Sequence, residues 1–259
     1  ALAGASAPPS STPIKAREEP KPDSRSGSLQ PPSSTSAGDS RSGSDSSVPT
    51  PAVGNTPLFA DSARDKFPPG KWVKLLTKAE ALPDTLRRPD SGVRFENGWV
   101  KPSGPISLNL TGGNPGFTLR NAAVRARFLA TVFQNSTGGS ATKLEMRAGG
   151  SSNLQLIVEK DGLVSLRSYD RVSRKSLPLG TRLDVKPVQP KSEYVLELLA
   201  VGTHLQARLD GQVVSIAEDA KPVSASINLN TTCPTRDIEV INLDGIPEAE
   251  ALKILGGDE

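Results

Sequence analysis

Residues 194–214, YVLELLAVGTHLQARLDGQVV, are the most informative stretch for the fold because they carry the same alternating pattern twice. Every second residue is apolar on both sides of Val201-Gly202, and Asp210-Gly211 follows the second run. The alternating residues are Tyr194, Leu196 and Leu198, then Leu205, Ala207 and Leu209. A period of two is typical of a strand with one face on a core, and Gly-containing pairs turn the chain. The stretch therefore predicts successive strands of an antiparallel sheet.

His204, the one histidine of the chain, lies inside this stretch. It comes two residues after a turn and points away from the leucines, so the alternation predicts a solvated side chain at a sheet margin. No second histidine and no Ser or Cys motif accompanies it, which argues against a metal ligand or a general base.

The same alternation recurs along most of the chain after Phe59. It is present in AVRARFLATVF (123–133), KLEMR (143–147), SASINLN (224–230) and RDIEVINLDG (236–245). LQLIVEKDGLVSLRS (154–168) carries Asp161-Gly162 between two apolar runs, which predicts a hairpin with a type I′ turn. About a dozen short strands with little helix predict an all-β fold, an antiparallel β-sandwich or jelly roll.

Two segments carry helix signals. IPEAEALKIL (246–255) has Pro247 at an early position, acidic residues in its first turn and glycine at its exit, so we expect a short C-terminal helix on the sandwich edge. TKAEALPDTL (77–86) predicts a short helix limited by Pro83.

The first part of the chain has a different composition. Residues 1–56 contain no aromatic residue, are rich in Pro, Ser, Gly and Thr, and balance five basic against five acidic side chains. Such a segment cannot bury enough apolar surface to offset the entropy of ordering it. We therefore predict a disordered linker over 1–64, a β-sandwich over 65–245, and a C-terminal helix and tail over 246–259.

Charge and cysteine content exclude several classes of protein. The net charge is only +3, and the basic stretches lack interleaved aromatic residues, so we expect no nucleic-acid partner. The single cysteine, Cys233, is expected to be a buried thiol. The sequence contains no run of about 18 apolar residues, which a membrane span would need. It also contains no D-x-D-x-D-G run of the kind that binds calcium. We expect no cofactor.

Several stretches in order resemble the concanavalin A-like jelly-roll superfamily, especially its laminin-G-like and 3-keto-disaccharide-hydrolase-like branches. They are VRFENGWVKPSG (93–104), NAAVRARFLATVF (121–133), the 194–214 stretch and SINLNTTCPTRDIEVINLDG (226–245). The linker, residues 69–99 and residues 241–259 also resemble the region after the catalytic domain in serine/threonine kinases of Verrucomicrobia-like bacteria. That resemblance implies an extracytoplasmic location; the kinase signatures themselves are absent from this sequence.

The superfamily that the chain resembles includes enzymes with characteristic catalytic motifs. The glucanases of the superfamily use E-x-D-x-x-E, and the nearest stretch, which begins at Glu159, ends in Val164 and so lacks the acid/base. The 3-keto-disaccharide-hydrolase-like branch has a segment of the form N-S-G-I-x-x-R. Here Asn135 and Arg147 match it with stretched spacing. Arg147 is expected to be either a solvated strand arginine or a sugar ligand, with Glu145 beside it on the polar face in an exposed ion pair.

Trp99 and Tyr169 are the best aromatic candidates for stacking on a sugar, although core packing would also explain them. The ligand-binding candidates are Trp99, Tyr169, Arg147, Glu145 and Asn135, with no catalytic or metal-binding residue. The sequence favours a non-catalytic extracytoplasmic binding module with a carbohydrate or protein ligand. A sugar hydrolase or lyase of the 3-keto-disaccharide type and a structural spacer remain the alternatives.

Overall fold

The computed structural model describes residues 56–59, 64–112, 117–131, 142–149, 151–159, 161–219 and 223–256. Within these residues there are sixteen strands, two α-helices and three short 3₁₀ turns. The strands are β1 (Thr56–Pro57), β2 (Trp72–Leu75), β3 (Val93–Glu96), β4 (Trp99–Pro102), β5 (Ile106–Asn109), β6 (Ala122–Leu129), β7 (Thr142–Gly149), β8 (Ser152–Val158), β9 (Val164–Asp170), β10 (Lys175–Pro178), β11 (Thr181–Arg182), β12 (Glu193–Val201), β13 (His204–Leu209), β14 (Gln212–Glu218), β15 (Asn228–Thr231) and β16 (Thr235–Asn242). The helices are α1 (Asp84–Arg87) and α2 (Glu248–Ile254), and the 3₁₀ turns are Arg64–Lys66, Ala79–Ala81 and Pro89–Ser91.

The strands form two sheets that face each other across one core. Sheet A has the order β1-β5-β15-β7-β8-β9-β10, and sheet B has the order β11-β14-β13-β12-β6-β16-β4-β3, with β2 also paired to β16. All these pairings are antiparallel except that of β1 with β5. The all-β antiparallel sandwich predicted from the sequence is thus confirmed.

The predicted alternation sets which side chains enter the core. Leucines of β12 and β13 in sheet B, such as Leu196 and Leu205, are fully buried, and so are Leu144 and Leu156 of sheet A. The hydroxyl of Tyr194 in β12 donates to Thr142 Oγ1 in β7 at 3.0 Å, which joins the two sheets through the core. Burial raises the pKa of the Tyr194 hydroxyl, so the hydroxyl stays protonated as the donor.

Of the two predicted Asp-Gly turns, one is a two-residue turn and the other belongs to a longer connection. Asp210 and Gly211 have φ values of 51° and 80°, as a type I′ turn between β13 and β14 requires. Asp161-Gly162 does turn the chain, but Glu159 N donates to Leu163 O across a longer connection, so the predicted two-residue type I′ turn is wrong. Gly162, with φ of 79°, supplies the left-handed residue of that longer loop.

The folded part begins before the predicted boundary at residue 65. β1 pairs with β5, Leu58 is buried, and the ring of Phe59 lies 6.0 Å from that of Phe67. A strand of two residues is too short to show an alternating pattern. The domain boundary predicted from composition therefore lies several residues after the start of β1.

The helix predictions also need correction. α1 begins directly after Pro83, so Pro83 precedes a helix instead of ending one. α2 forms where predicted, but it packs on the outer face of sheet B and not on the sandwich edge. Ala251 and Leu255 contact a second apolar cluster that lies opposite the core: Ala123, Leu199, Val201, Ile241 and Leu243.

Candidate functional site

A row of polar side chains crosses the outer face of sheet A. Backbone pairing aligns five residues from five neighbouring strands, β5, β15, β7, β8 and β9: Asn109, Asn228, Glu145, Gln155 and Arg167. Their neighbours along each strand, including Leu144 and Leu156, are buried in the core, so the row lies on the opposite face. We call this row, together with Lys143, Asn153, Ser165 and Tyr169 from the same side of β7, β8 and β9, the polar face.

The charged groups of the polar face are paired with one another and with Glu159, the residue that follows β8. Gln155 Nε2 donates to Glu145 Oε1 at 2.9 Å, and Lys143 Nζ lies 2.6 Å from the same oxygen. Arg167 donates to Glu159 Oε1 at 2.7 Å. The two cations and two carboxylates balance, so the polar face carries no net charge from these groups.

Several polar atoms of this side of sheet A are buried and have no hydrogen-bond partner within the described residues. Three are the amide oxygens of Asn109, Asn153 and Asn228, and two are donors, Arg167 Nε and Ser176 Oγ. A buried polar group without a partner costs about 1–3 kcal/mol, so such groups in a native fold are usually satisfied by water or by a ligand. These acceptors and donors of the polar face therefore need partners from outside the described residues.

Arg147 leaves the polar face, contrary to the prediction. The register of β7 and β8 shifts between Met146 and Gly149, and Arg147 has a φ of 52°. Such a bulge re-aims the side chain at its position. The guanidinium reaches the ends of sheet B, where it meets Asp219 Oδ2 at 2.5 Å and Gly202 O at 2.7 Å.

The expected exposed ion pair of Glu145 with Arg147 is therefore wrong. Arg147 is only 2% exposed, and Glu145 is 6% exposed with Lys143 and Gln155 as its partners. Burial lowers the pKa of Arg147, and the hydrogen bond and charge of Asp219 oppose that shift. An arginine pKa lies so far above neutrality that the guanidinium remains charged.

A cavity of about 190 Å³ lies beside Arg147 at one end of the sandwich, and we call it the end cavity. Its polar lining consists of Arg147, Ser152, Asn153, Ser168, Glu218 and Asp219. Leu154, Leu179 and Val223 form its apolar wall. Arg147 Nε and Asn153 Oδ1 are both buried without a partner within the described residues.

The aromatic candidates lie on different sheets. Tyr169 is half-buried on the polar face, in register with Asn153 on one side and Ser176 on the other. Trp99 is half-buried in β4 of sheet B, where the guanidinium of Arg236 lies 4.4 Å from its ring centre. The structure thus places Glu145 and Tyr169 on the same face of sheet A, two strands apart, and Arg147 in the end cavity, whereas Trp99 lies on sheet B. Asn135 lies outside the described residues.

Sequence reasoning missed the amide side chains that dominate the polar face. Asn153 and Gln155 occupy alternate positions of NLQLIV, and Asn228 occupies one of SINLN. Amide side chains at every second position of otherwise apolar strands could have indicated this face. A face turned wholly to solvent more often carries charged residues.

The outer face of sheet B beyond α2 is also charged. Lys74, Arg125, Arg127, Glu197, Asp237 and Glu239 line an open groove of about 540 Å³ together with neighbouring residues. Arg125 Nε lies 2.5 Å from Glu239 Oε2, and Arg208 lies 3.0 Å from Glu197. Burial raises the pKa of Glu197 above its ordinary value.

Two sequence expectations concern isolated residues. Cys233 is buried, as expected, with its Sγ 3.5 Å from Thr131 Oγ1. His204 is half-buried at the start of β13 beside the turn, on the side opposite Leu205. The described residues contain no cluster of three or more His, Cys, Asp or Glu suited to a metal ion. No helix in that part of the chain is long and apolar enough to span a membrane.

No protein-family model matches the chain, and no curated protein matches it either. Several solved structures are similar to the chain at low sequence identity. A carbohydrate-binding module from Bacillus subtilis is 13% identical with a TM-score of 0.41 over 66% of this chain and 90% of that one. The galectin LEC-6 of Caenorhabditis elegans is 14% identical with a TM-score of 0.38 over 56% and 96%. A Parabacteroides distasonis protein described as a glycosyl hydrolase is 7% identical with a TM-score of 0.41 over 67% and 89%. Likenesses of this size assign neither a family nor a function.

Proposed function

We propose that this protein is a non-catalytic carbohydrate-binding module and that its ligand lies along the polar face of sheet A. The observation that carries the proposal is the set of buried amide oxygens of Asn109, Asn153 and Asn228, which lack partners within the described residues. Sugar hydroxyls donate to such oxygens and accept from guanidinium and hydroxyl groups such as those of Arg167 and Ser176. Tyr169 adds an aromatic ring on the same face.

The size and charge of the polar face fit a neutral glycan of several residues. Its row runs from β5 to β9, four steps between neighbouring strands, which is about 19 Å at ~4.8 Å per step. Lys143 and Arg167 are matched by Glu145 and Glu159, so the face has no excess positive charge to attract an anionic polymer. Hydrogen bonds with hydroxyl groups would supply the specificity.

The proposal includes a setting outside the cytoplasm, as part of a larger bacterial surface or sensor-kinase protein. This part is supported by the sequence resemblance alone. Fractionation of the native host, with detection of this region by antibody, tests it. Recovery only from the cytoplasm would contradict it.

A glycan array probed with the full chain tests the binding function, followed by calorimetry with the best-bound glycan. Asn109→Ala and Tyr169→Ala are the informative variants, because both residues are half-exposed and both belong to the polar face. Loss of one hydrogen bond or one stacking contact is expected to weaken binding about tenfold. Gln212→Ala, at an exposed position of β14 in sheet B, is the control and should bind like the unmodified chain.

The outcomes separate the three functional classes. Binding without release of cleaved products supports the module, whereas turnover of the bound glycan would make the protein a hydrolase or lyase. A folded protein that binds no glycan on the array would contradict the proposal and favour a spacer.

A further inference from the structure

We infer that the end cavity is a subsite for one neutral sugar ring, the terminal residue of a glycan that lies along the polar face. This inference rests on the proposed function and deepens it, because it states which part of the glycan is recognised. A terminal subsite makes the module a reader of chain ends.

The first support is one hydrogen-bond donor and one acceptor in the lining of the end cavity, which both lack a hydrogen-bond partner within the described residues. Arg147 is 2% exposed and Asn153 is 4% exposed, and both line the end cavity. Arg147 Nε can only donate and Asn153 Oδ1 can only accept, and neither has a partner within the described residues. A sugar hydroxyl accepts from one group and donates to the other, so neighbouring hydroxyls of one ring can satisfy both.

The second support is the size of the end cavity. Its volume of about 190 Å³ equals that of roughly six waters at about 30 Å³ each. Pockets for larger organic ligands usually begin near 300 Å³. A cavity of this volume suits a single sugar ring better than a longer piece of a glycan.

The third support is the charge around the end cavity, which disfavours anions. The guanidinium of Arg147 is already neutralised by Asp219 at 2.5 Å, and Glu218 adds a second carboxylate to the lining. A uronic acid in this position would meet two carboxylates and one occupied cation. A neutral ring avoids that repulsion and can pack its C–H face on Leu154, Leu179 and Val223.

The fourth support is continuity with the polar face. Asn153 lines the end cavity and also lies opposite Tyr169 on the polar face. A glycan held beside Tyr169 therefore reaches the end cavity without leaving the sheet, and Arg147 and Asp219 are among the residues that line that cavity.

Blocking the mouth of the end cavity tests the inference. Ser152 is exposed and lines the end cavity, whereas its neighbour Ser151 is equally exposed and does not line it. Ser152→Trp should fill the entrance, and Ser151→Trp adds the same ring one residue away as a matched control. Both variants of the full chain are titrated by NMR with glucose, galactose, mannose and fructose, with glucuronic acid as the anionic probe, after thermal unfolding has shown that they fold.

We expect at least one neutral monosaccharide to bind the unmodified chain, and Ser152→Trp to weaken that binding at least tenfold. Ser151→Trp should change it less than twofold, and glucuronic acid should bind at least tenfold more weakly than that neutral monosaccharide. Array glycans that bind more weakly to Asn109→Ala but equally well to Ser152→Trp would refute the terminal subsite. The same result would support binding along the polar face. If glucuronic acid binds as well as the neutral sugars, the neutral-ring assignment is refuted. If the folded chain binds no sugar at all, both proposals fail.

Discussion

Arg147 shows how a single backbone position changes what a side chain does. Alternation along KLEMR assigns it to the same face as Glu145, which would leave it in solvent. A positive φ at the bulge turns it inward instead, where it joins the β7–β8 hairpin to the ends of sheet B through Asp219 and Gly202. A bulge adds one residue to a strand and so breaks the two-residue period that pattern reading relies on.

Burial of Glu197 is expected to make the stability of the fold depend on pH. Burial raises the pKa of Glu197 above the ordinary value, although Arg208 and Arg125 act in the opposite direction. A raised acid pKa in the folded state means that its stabilising contribution is present below the unfolded pKa and is lost as the pH rises through the folded pKa. Glu197→Gln, which cannot ionise, removes this dependence.

We therefore expect the unmodified chain to lose stability relative to Glu197→Gln as the pH is raised from 4 to 8. Urea unfolding at a series of pH values measures this difference. A gain in stability of the unmodified chain relative to the variant over the same interval would show that the Arg208 contact outweighs burial.

The helix α2 covers an apolar patch on the outer face of sheet B, which is the face opposite the core. Ala123, Leu199 and Ile241 alternate with core residues and would face water without α2. Seven residues are too few for a helix that is stable alone, so docking must hold it. Arg208 adds a hydrogen bond to Leu255 O at 3.0 Å, at the end of the helix.

A charge on the buried side of α2 should release the helix. Ala251 is fully buried, whereas Ala249 is exposed on the same helix. Ala251→Asp is expected to lower the free energy of unfolding by about 2 kcal/mol and to increase binding of a hydrophobic dye, because a buried unpaired carboxylate is costly. Ala249→Asp makes the same substitution in solvent and should change stability by less than about 0.5 kcal/mol. Equal effects of the two variants would contradict the docking of α2.

At the scale of the whole molecule, the sandwich needs residues that composition assigns to the linker. Leu58 is 7% exposed and the ring of Phe59 packs against that of Phe67, although both residues precede the boundary predicted at residue 65. The N-terminal limit of the fold is thus set by core packing and by pairing of β1 with β5.

Two truncations locate that limit. Deletion of residues 1–48 should leave the thermal midpoint unchanged, because their composition cannot build a core. Deletion of residues 1–59 removes Leu58, Phe59 and β1 and should lower the free energy of unfolding by about 3 kcal/mol, as for other losses of a large buried side chain. Equal midpoints for the two truncated chains would place the start of the fold after residue 59.

The fold class, most strands, the C-terminal helix and the buried positions of strands such as β12 and β13 could be predicted from the sequence. These depend on local periodicity and turn residues, which act over a few neighbours along the chain. The order of strands within each sheet could not be predicted in this way, and that order aligns Asn109, Asn228 and Gln155 across sheet A. It is set by long-range strand pairing in the folded chain. The tertiary structure also decided that Trp99 and Tyr169 lie on different sheets and that Arg147 points between the sheets. Such placements arise from pairing between residues far apart in the chain and from a bulge, and neither leaves a periodic trace in the sequence.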